Sequence, residues 1–226
     1  MESPSLTIFA ICGYRRSGKD YLASQITRGE ISGWEVFEGE PRSREKLQNL
    51  LHASVPVYRE SFAGPLKKEV ATVVGLNLQE LEERKEDPLP ESLRDALSSQ
   101  YNLREYTPPT YRSILIEHGS NARARNPDHW VEALLATVNE HLKGGSCIVL
   151  ITDLRFTNEL ALLQKYCKEN SQSSLLTARV YRSCVPIPPS NIPSEHDLDT
   201  SLTDLLLCPS EDAEKALSLF PQYCRL

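Results

Sequence analysis

Apolar runs and helical spacing alternate along most of this chain. The run Leu6-Thr7-Ile8-Phe9-Ala10-Ile11-Cys12 predicts a buried strand, and a helix is expected from about Ser17 to Thr27. Residues 29–41 are rich in Gly and Glu and predict a loop, followed by a helix over Ser43–Ala53. A short strand is expected at Val55–Phe62, then the turn Ala63-Gly64-Pro65, with Pro65 opening a helix over Leu66–Val74. A further helix starts at Asn77 and reaches Lys85. Residues 86–109 hold four prolines and many charges, which predicts an exposed excursion carrying one short helix.

Tyr111–His118 has helical spacing and meets Gly119, a candidate C-terminal cap. Asn126 and Pro127 then suit the start of a helix reaching about Lys143. Cys147-Ile148-Val149-Leu150-Ile151 is continuously apolar, as a parallel strand buried on both faces requires. A helix is expected over Glu159–Lys168, strands at Ser174–Tyr181 and Asp204–Cys208, and a last helix over Ser210–Phe220. Between them, residues 183–199 hold four prolines and form the candidate lid. Strands alternating with helices predict an α/β fold with a parallel sheet and right-handed crossovers.

The junction of the first strand and helix changes this picture from fold to chemistry. Gly13-Tyr14-Arg15-Arg16-Ser17-Gly18-Lys19-Asp20 is a glycine-bounded loop with a lysine, in the strand–loop–helix context of a phosphate-binding P-loop. Its backbone N–H groups and the helix N-terminus would face phosphates, and Lys19 would reach the β- and γ-phosphates. Asp20 stands where the usual motif has Ser or Thr; a carboxylate can also serve Mg²⁺.

Composition narrows the ligand. The chain has 226 residues with 40% hydrophobic, enough for one packed domain with or without a mobile subdomain. A formal net charge of −6 argues against nucleic acid held by bulk charge. Arg112, Arg123, Arg125, Arg155, Arg179 and Arg182 instead concentrate positive charge locally, which fits a small polyanion. The six cysteines form no CxxC pair, so a zinc site is not expected. No signal-type N-terminus and no membrane-length apolar run occurs, so a cytoplasmic location and no membrane partner are expected.

Asp153-Leu154-Arg155 follows the Cys147–Ile151 strand directly. Ligands gather at the carboxyl ends of strands, where Asp153 could hold Mg²⁺ or its waters and Arg155 a transferring phosphoryl group. The alternative there is a structural Asp–Arg pair. Arg112 and the pair Lys67-Lys68 sit in first turns of expected helices, unfavourable to the helix dipole unless an anion is near. Arg123 and Arg125 would follow the helix end on a loop. Ser194-Glu195-His196-Asp197-Leu198-Asp199 suits local capping or a nucleoside contact better than a metal.

Taken together, these segments resemble the deoxynucleoside monophosphate kinases of the bacteriophage type, relatives of animal-type phosphomevalonate kinase. The resemblance rests on Arg15–Asp20, Phe62–Lys67, Arg112–Gly119 with Arg123 and Pro127–Val131, Ile151–Glu159, and Val180–Arg182 with Ser194–His196. It implies a three-layer P-loop NTPase fold with a central parallel sheet, nucleoside-monophosphate-kinase-like. A helical substrate-binding region at about 76–130 and a lid at about 183–199 would belong to a single kinase domain. It also implies ATP- and Mg²⁺-dependent phosphoryl transfer to a (deoxy)nucleoside monophosphate. By this match Gly13, Tyr14, Arg15, Arg16, Ser17, Gly18, Lys19, Asp20, Tyr21 and Arg182 would bind ATP. Lys67, Arg112, Arg123 and Arg155 would hold the acceptor, and Asp20 and Asp153 the metal. Lys19, Arg16, Arg155 and Asp153 would carry the catalysis. Two departures stand out: no arginine follows Arg182 in the lid, and the serine–glutamate pair precedes His196. The alternatives are a phosphomevalonate kinase-like enzyme and a silent nucleotide-binding regulator. The partner expected is a small phosphorylated molecule; the oligomeric state, a homodimer among the options, is left open.

Overall fold

A computed structural model describes residues 4–223; the N-terminal leader expectation and Cys224 lie outside them. The described chain falls into two compact units. One joins the chain up to Ser61 with the chain from Leu135 onward, and the other is Phe62–Leu134.

The first unit is built on a six-stranded mixed sheet. Its strands are β1 (Leu6–Cys12), β2 (Trp34–Glu38), β3 (Val57–Glu60), β4 (Cys147–Ile151), β5 (Ser173–Val180) and β6 (Leu205–Pro209), in the order β2-β6-β5-β1-β4-β3. β1 lies between β5 and β4, with Leu6 in register with Ser173 and Cys147. That central place explains its apolarity, broken only at Thr7: neighbours take its hydrogen bonds on both edges and side chains on both faces are buried.

Helices α1 (Lys19–Thr27) and α2 (Ser43–Leu51) send Leu22, Ala23, Ile26, Leu47 and Leu50 into one core with Phe9, Ile11, Leu150, Leu176 and Val180. Each such fully buried aliphatic side chain contributes about 1.5–3 kcal/mol relative to exposure. Helix α8 (Thr157–Glu169) packs on β5. The last helix, labelled α10 (Ala213–Tyr223), packs on β6 through Ala216 against Leu206 and Cys208.

The sheet is parallel except at β2, which pairs antiparallel with β6. This corrects the expected loop over 29–41 and the all-parallel sheet. Only Val36 of β2 is buried, because the strand lies at an edge, so it lacks the apolar run that marks the other strands.

The second unit is helical. It contains α3 (Ala63–Val74), α4 (Leu78–Arg84), α5 (Glu91–Leu97), α6 (Tyr111–Arg125) and the first part of α7 (His129–Lys143). Its core gathers Val70, Ala71, Leu81, Leu97, Tyr101, Tyr111 and Ile114. α3 begins at Ala63, so Pro65 sits inside the first turn, where its missing N–H still costs nothing. Asn77 and Glu80 form a capping box at α4.

The expected stop at Gly119 is wrong. α6 runs through it to Arg125, and the glycine serves packing instead. A Cβ there would lie 3.2 Å from Leu66 Cδ2, and its carbonyl accepts the Trp130 indole N–H at 3.3 Å. Arg123 and Arg125 therefore lie in the last turn of a helix and not on a loop. Two positions apart on a helix they do not share a face.

Candidate functional site

The loop after β1 is shaped by left-handed residues. Gly13 has φ +136°, and a Cβ on it would meet the Val180 carbonyl oxygen at 2.5 Å, so no larger residue fits. Arg16 at φ 68° and Gly18 at φ 97° flank the buried Ser17. A left-handed arginine costs about 1–2 kcal/mol. Backbones that pass between right- and left-handed residues can form an anion nest. Ser17 N–H donates to the Tyr14 carbonyl at 3.1 Å, whereas the N–H groups of Arg16, Gly18 and Lys19 meet no acceptor among the described residues. The Trp34 ring from β2 packs against Gly18.

Lys19 folds back over this loop. Its Nζ donates to the carbonyls of Gly13 at 2.6 Å and Tyr14 at 2.8 Å. Burial lowers its pKa, and the Arg155 guanidinium lowers it further, while Glu195 and Asp20 work the other way. Burial pushes the Cys12 thiol beneath it up, so that group stays neutral.

Arg155 reaches the same place from the segment between β4 and α8. Glu159 orders that segment by accepting the N–H groups of Arg155 at 2.8 Å and Phe156 at 3.0 Å, so α8 begins on a buried carboxylate. Arg155 Nη1 donates to Glu195 Oε1 at 2.8 Å, and the Arg15 backbone N–H donates to Glu195 Oε2 at 2.8 Å. Lys19, Arg155 and the loop are thus brought together in the first unit, with Glu195 among them. Asp153 is half-buried just past β4. Asp20 is exposed and pairs with Arg59 at 3.1 Å.

The segment expected as a lid is docked at its far end. It contains the four-residue helix Pro193–His196, labelled α9. Asp197 caps α8 by accepting Thr157 N–H at 2.6 Å and Thr157 Oγ1 at 2.9 Å. Asp199 Oδ2 accepts from the Tyr14 hydroxyl at 3.1 Å and lies 2.7 Å from His196 Nδ1, while its Oδ1 lies 3.6 Å from Arg179 Nη1. Arg179 also donates to the Leu198 carbonyl. The hydrogen bond to Asp199 raises the His196 pKa. Arg182 is exposed and forms no ion pair among the described residues; Tyr21 is likewise exposed.

In the second unit two of the expected acceptor residues, Lys67 and Arg112, meet carboxylates. Lys67 pairs with Glu82 at 2.9 Å, and Lys85 binds the same carboxyl, which together hold it down at about 2. Arg112 donates through Nε at 2.7 Å and through Nη2 to Glu86. The anion that its place in the first turn requires is therefore an internal one. Arg123 lies on α6 beside Gly119.

Sequence reasoning missed Glu195 as a site residue and read the segment only as ambiguous. Its signal is the acidic spacing Glu195, Asp197, Asp199, each of which has a partner far away in the chain. Among the described residues no cluster of three or more His, Cys, Asp or Glu suited to a metal occurs, and no helix is long and apolar enough to cross a membrane. A scan against protein-family models and a search of curated proteins each return no match.

Proposed function

We propose that the chain is an ATP- and Mg²⁺-dependent phosphotransferase whose acceptor is itself a phosphate, with a (deoxy)nucleoside monophosphate as first choice. The reading is supported above all by one observation: a loop left-handed at Gly13, Arg16 and Gly18 is tied to Lys19 through the Gly13 and Tyr14 carbonyls and to Arg155 through Glu195. At Arg16, a non-glycine residue, that conformation is strained, and such strain clusters at functional sites.

Phosphoryl transfer asks for positioning and charge neutralisation more than for covalent chemistry. Gly13–Asp20, with Tyr21 and Arg182, are the proposed ATP contacts. Lys19, Arg16 and Arg155 would neutralise the transferring group. Lys67, Arg112 and Arg123 are the proposed contacts of the acceptor phosphate; Lys67 and Arg112 could exchange a carboxylate for a phosphate. Mg²⁺ is commonly held by one or two carboxylates plus phosphate oxygens. Asp20 and Asp153 suit that role, since Asp20 engages Arg59 through one oxygen. An acceptor that is already a dianion needs no general base, and none is proposed.

A coupled assay with ATP, Mg²⁺ and a panel of nucleoside monophosphates plus mevalonate 5-phosphate tests this. Turnover of a nucleotide supports the first choice, and turnover of mevalonate 5-phosphate alone transfers the reading to a phosphomevalonate kinase. ATP binding without turnover of any acceptor makes the chain a nucleotide-binding regulator.

A further inference from the structure

We propose that Glu195 is a positioning residue, a buried carboxylate that holds Arg155 and the phosphate loop in one geometry and stays there when nucleotide binds. Its effect on rate rests on the phosphotransferase reading, whereas the contact itself rests on geometry.

The Glu195 side chain is only 8% exposed, and its two oxygens serve two elements. Oε2 takes the Arg15 backbone N–H and Oε1 takes Arg155 Nη1, each at 2.8 Å. A guanidinium has five donors in a rigid fork, so most of Arg155 remains for a phosphate while its direction is set from behind.

Phosphate could push away a loose carboxylate, but this one is pinned on its C-terminal side. Asp197 is held by the start of α8, Asp199 by Tyr14 and His196, and the Leu198 carbonyl by the buried Arg179. Swinging Glu195 out would unpick those contacts as well. Lys19, for which Glu195 is a favourable charge, offsets the repulsion between carboxylate and phosphate. An arginine fixed in advance needs no reorganisation during transfer.

Glu195→Ala and Glu195→Gln, read by turnover, by direct ATP binding and by ¹⁵N spectra of Arg15 N–H and Arg155 Nε–H, test the proposal. In Glu195→Ala kcat should fall on the order of 10²-fold, the cost of misplacing a catalytic group, with the ATP Kd within about threefold of wild type and folding retained. Glu195→Gln, which keeps an acceptor oxygen, should recover part of that loss. The Arg15 amide signal should shift in both variants and, in the wild type, keep its hydrogen-bonded position when ATP is added. ATP binding about tenfold tighter in Glu195→Ala, with kcat kept, would make the carboxylate a plug that phosphate displaces and overturn the proposal. Unchanged spectra in the variants would also overturn it. If the wild type transfers no phosphoryl group, only the functional reading fails; the spectra still decide whether Glu195 holds the loop and Arg155.

Discussion

The two units place positive charge in opposite ways. In the first, among the described residues, the N–H groups of Arg16, Gly18 and Lys19 meet no acceptor and the Arg16 and Arg182 side chains form no ion pairs. In the second, Lys67 and Arg112 are already matched to Glu82 and Glu86. The loop's backbone geometry is set by its left-handed residues and by the contact from Arg15 to Glu195. The helical unit offers exchangeable surface pairs, each worth roughly 0–1 kcal/mol, so a phosphate could replace a carboxylate there at small cost. Preorganisation belongs to one unit and adaptability to the other.

The sharpest way to break that contrast is Lys19→Ala. Phosphoryl transfer should drop roughly 10²–10³-fold, as when one preorganised charge-stabilising donor is removed. Thermal stability should hold or rise slightly, because the ammonium is desolvated and lies near Arg155. Near-normal turnover would remove the loop from the chemistry.

The two glycines come next. Gly13→Ala forces a Cβ against a backbone carbonyl at φ +136° and should cost about 2–4 kcal/mol in urea unfolding. Gly119→Ala meets the flexible ends of two side chains, Leu66 at 3.2 Å and Arg123 at 3.6 Å, and helix propensity favours alanine by about 1 kcal/mol. Its stability should therefore stay within about 1 kcal/mol of wild type; equal losses at both positions would erase the difference between the units.

Glu86→Gln should cost less than about 1 kcal/mol, since Arg112 and Glu86 are both well exposed. If Arg112 holds the acceptor, the apparent KM should improve as its competing carboxylate disappears. A higher KM would instead make Glu86 part of the binding surface.

The smallest effect concerns His196. Its folded pKa lies above its ordinary value through Asp199, with the Pro188 and Pro189 carbonyls adding to the shift. The interaction is therefore fully present below about pH 6.5 and is lost as pH rises through the folded value. Thermal melts should show a larger gap between wild type and His196→Gln at about pH 6 than at about pH 8; the reverse order would break the assignment.

Much of the frame was legible because core strands carry their own signal. β1 and β4 sit in the middle of the sheet, are apolar apart from Thr7, and begin and end where periodicity placed them. β2 escaped because one buried valine at an edge leaves no pattern to read. Gly119 misled because a glycine that admits a neighbouring helix looks in sequence like one that ends its own. Lys19 and Arg155 could be picked out one by one, since each follows a strand. Spacing alone does not join them; only the resemblance grouped the two, and neither pointed to the carboxylate beside them.

The linear chain by itself determined most of the elements, the glycine-bounded loop and the local concentration of cations. These depend on residue type and spacing over a few positions. Only the tertiary structure decided that Glu195 accepts from Arg15 and Arg155, that Asp197 caps a helix from 40 residues away, and that Arg112 faces an internal carboxylate. Those pairings join distant segments, and no local propensity or periodicity encodes them.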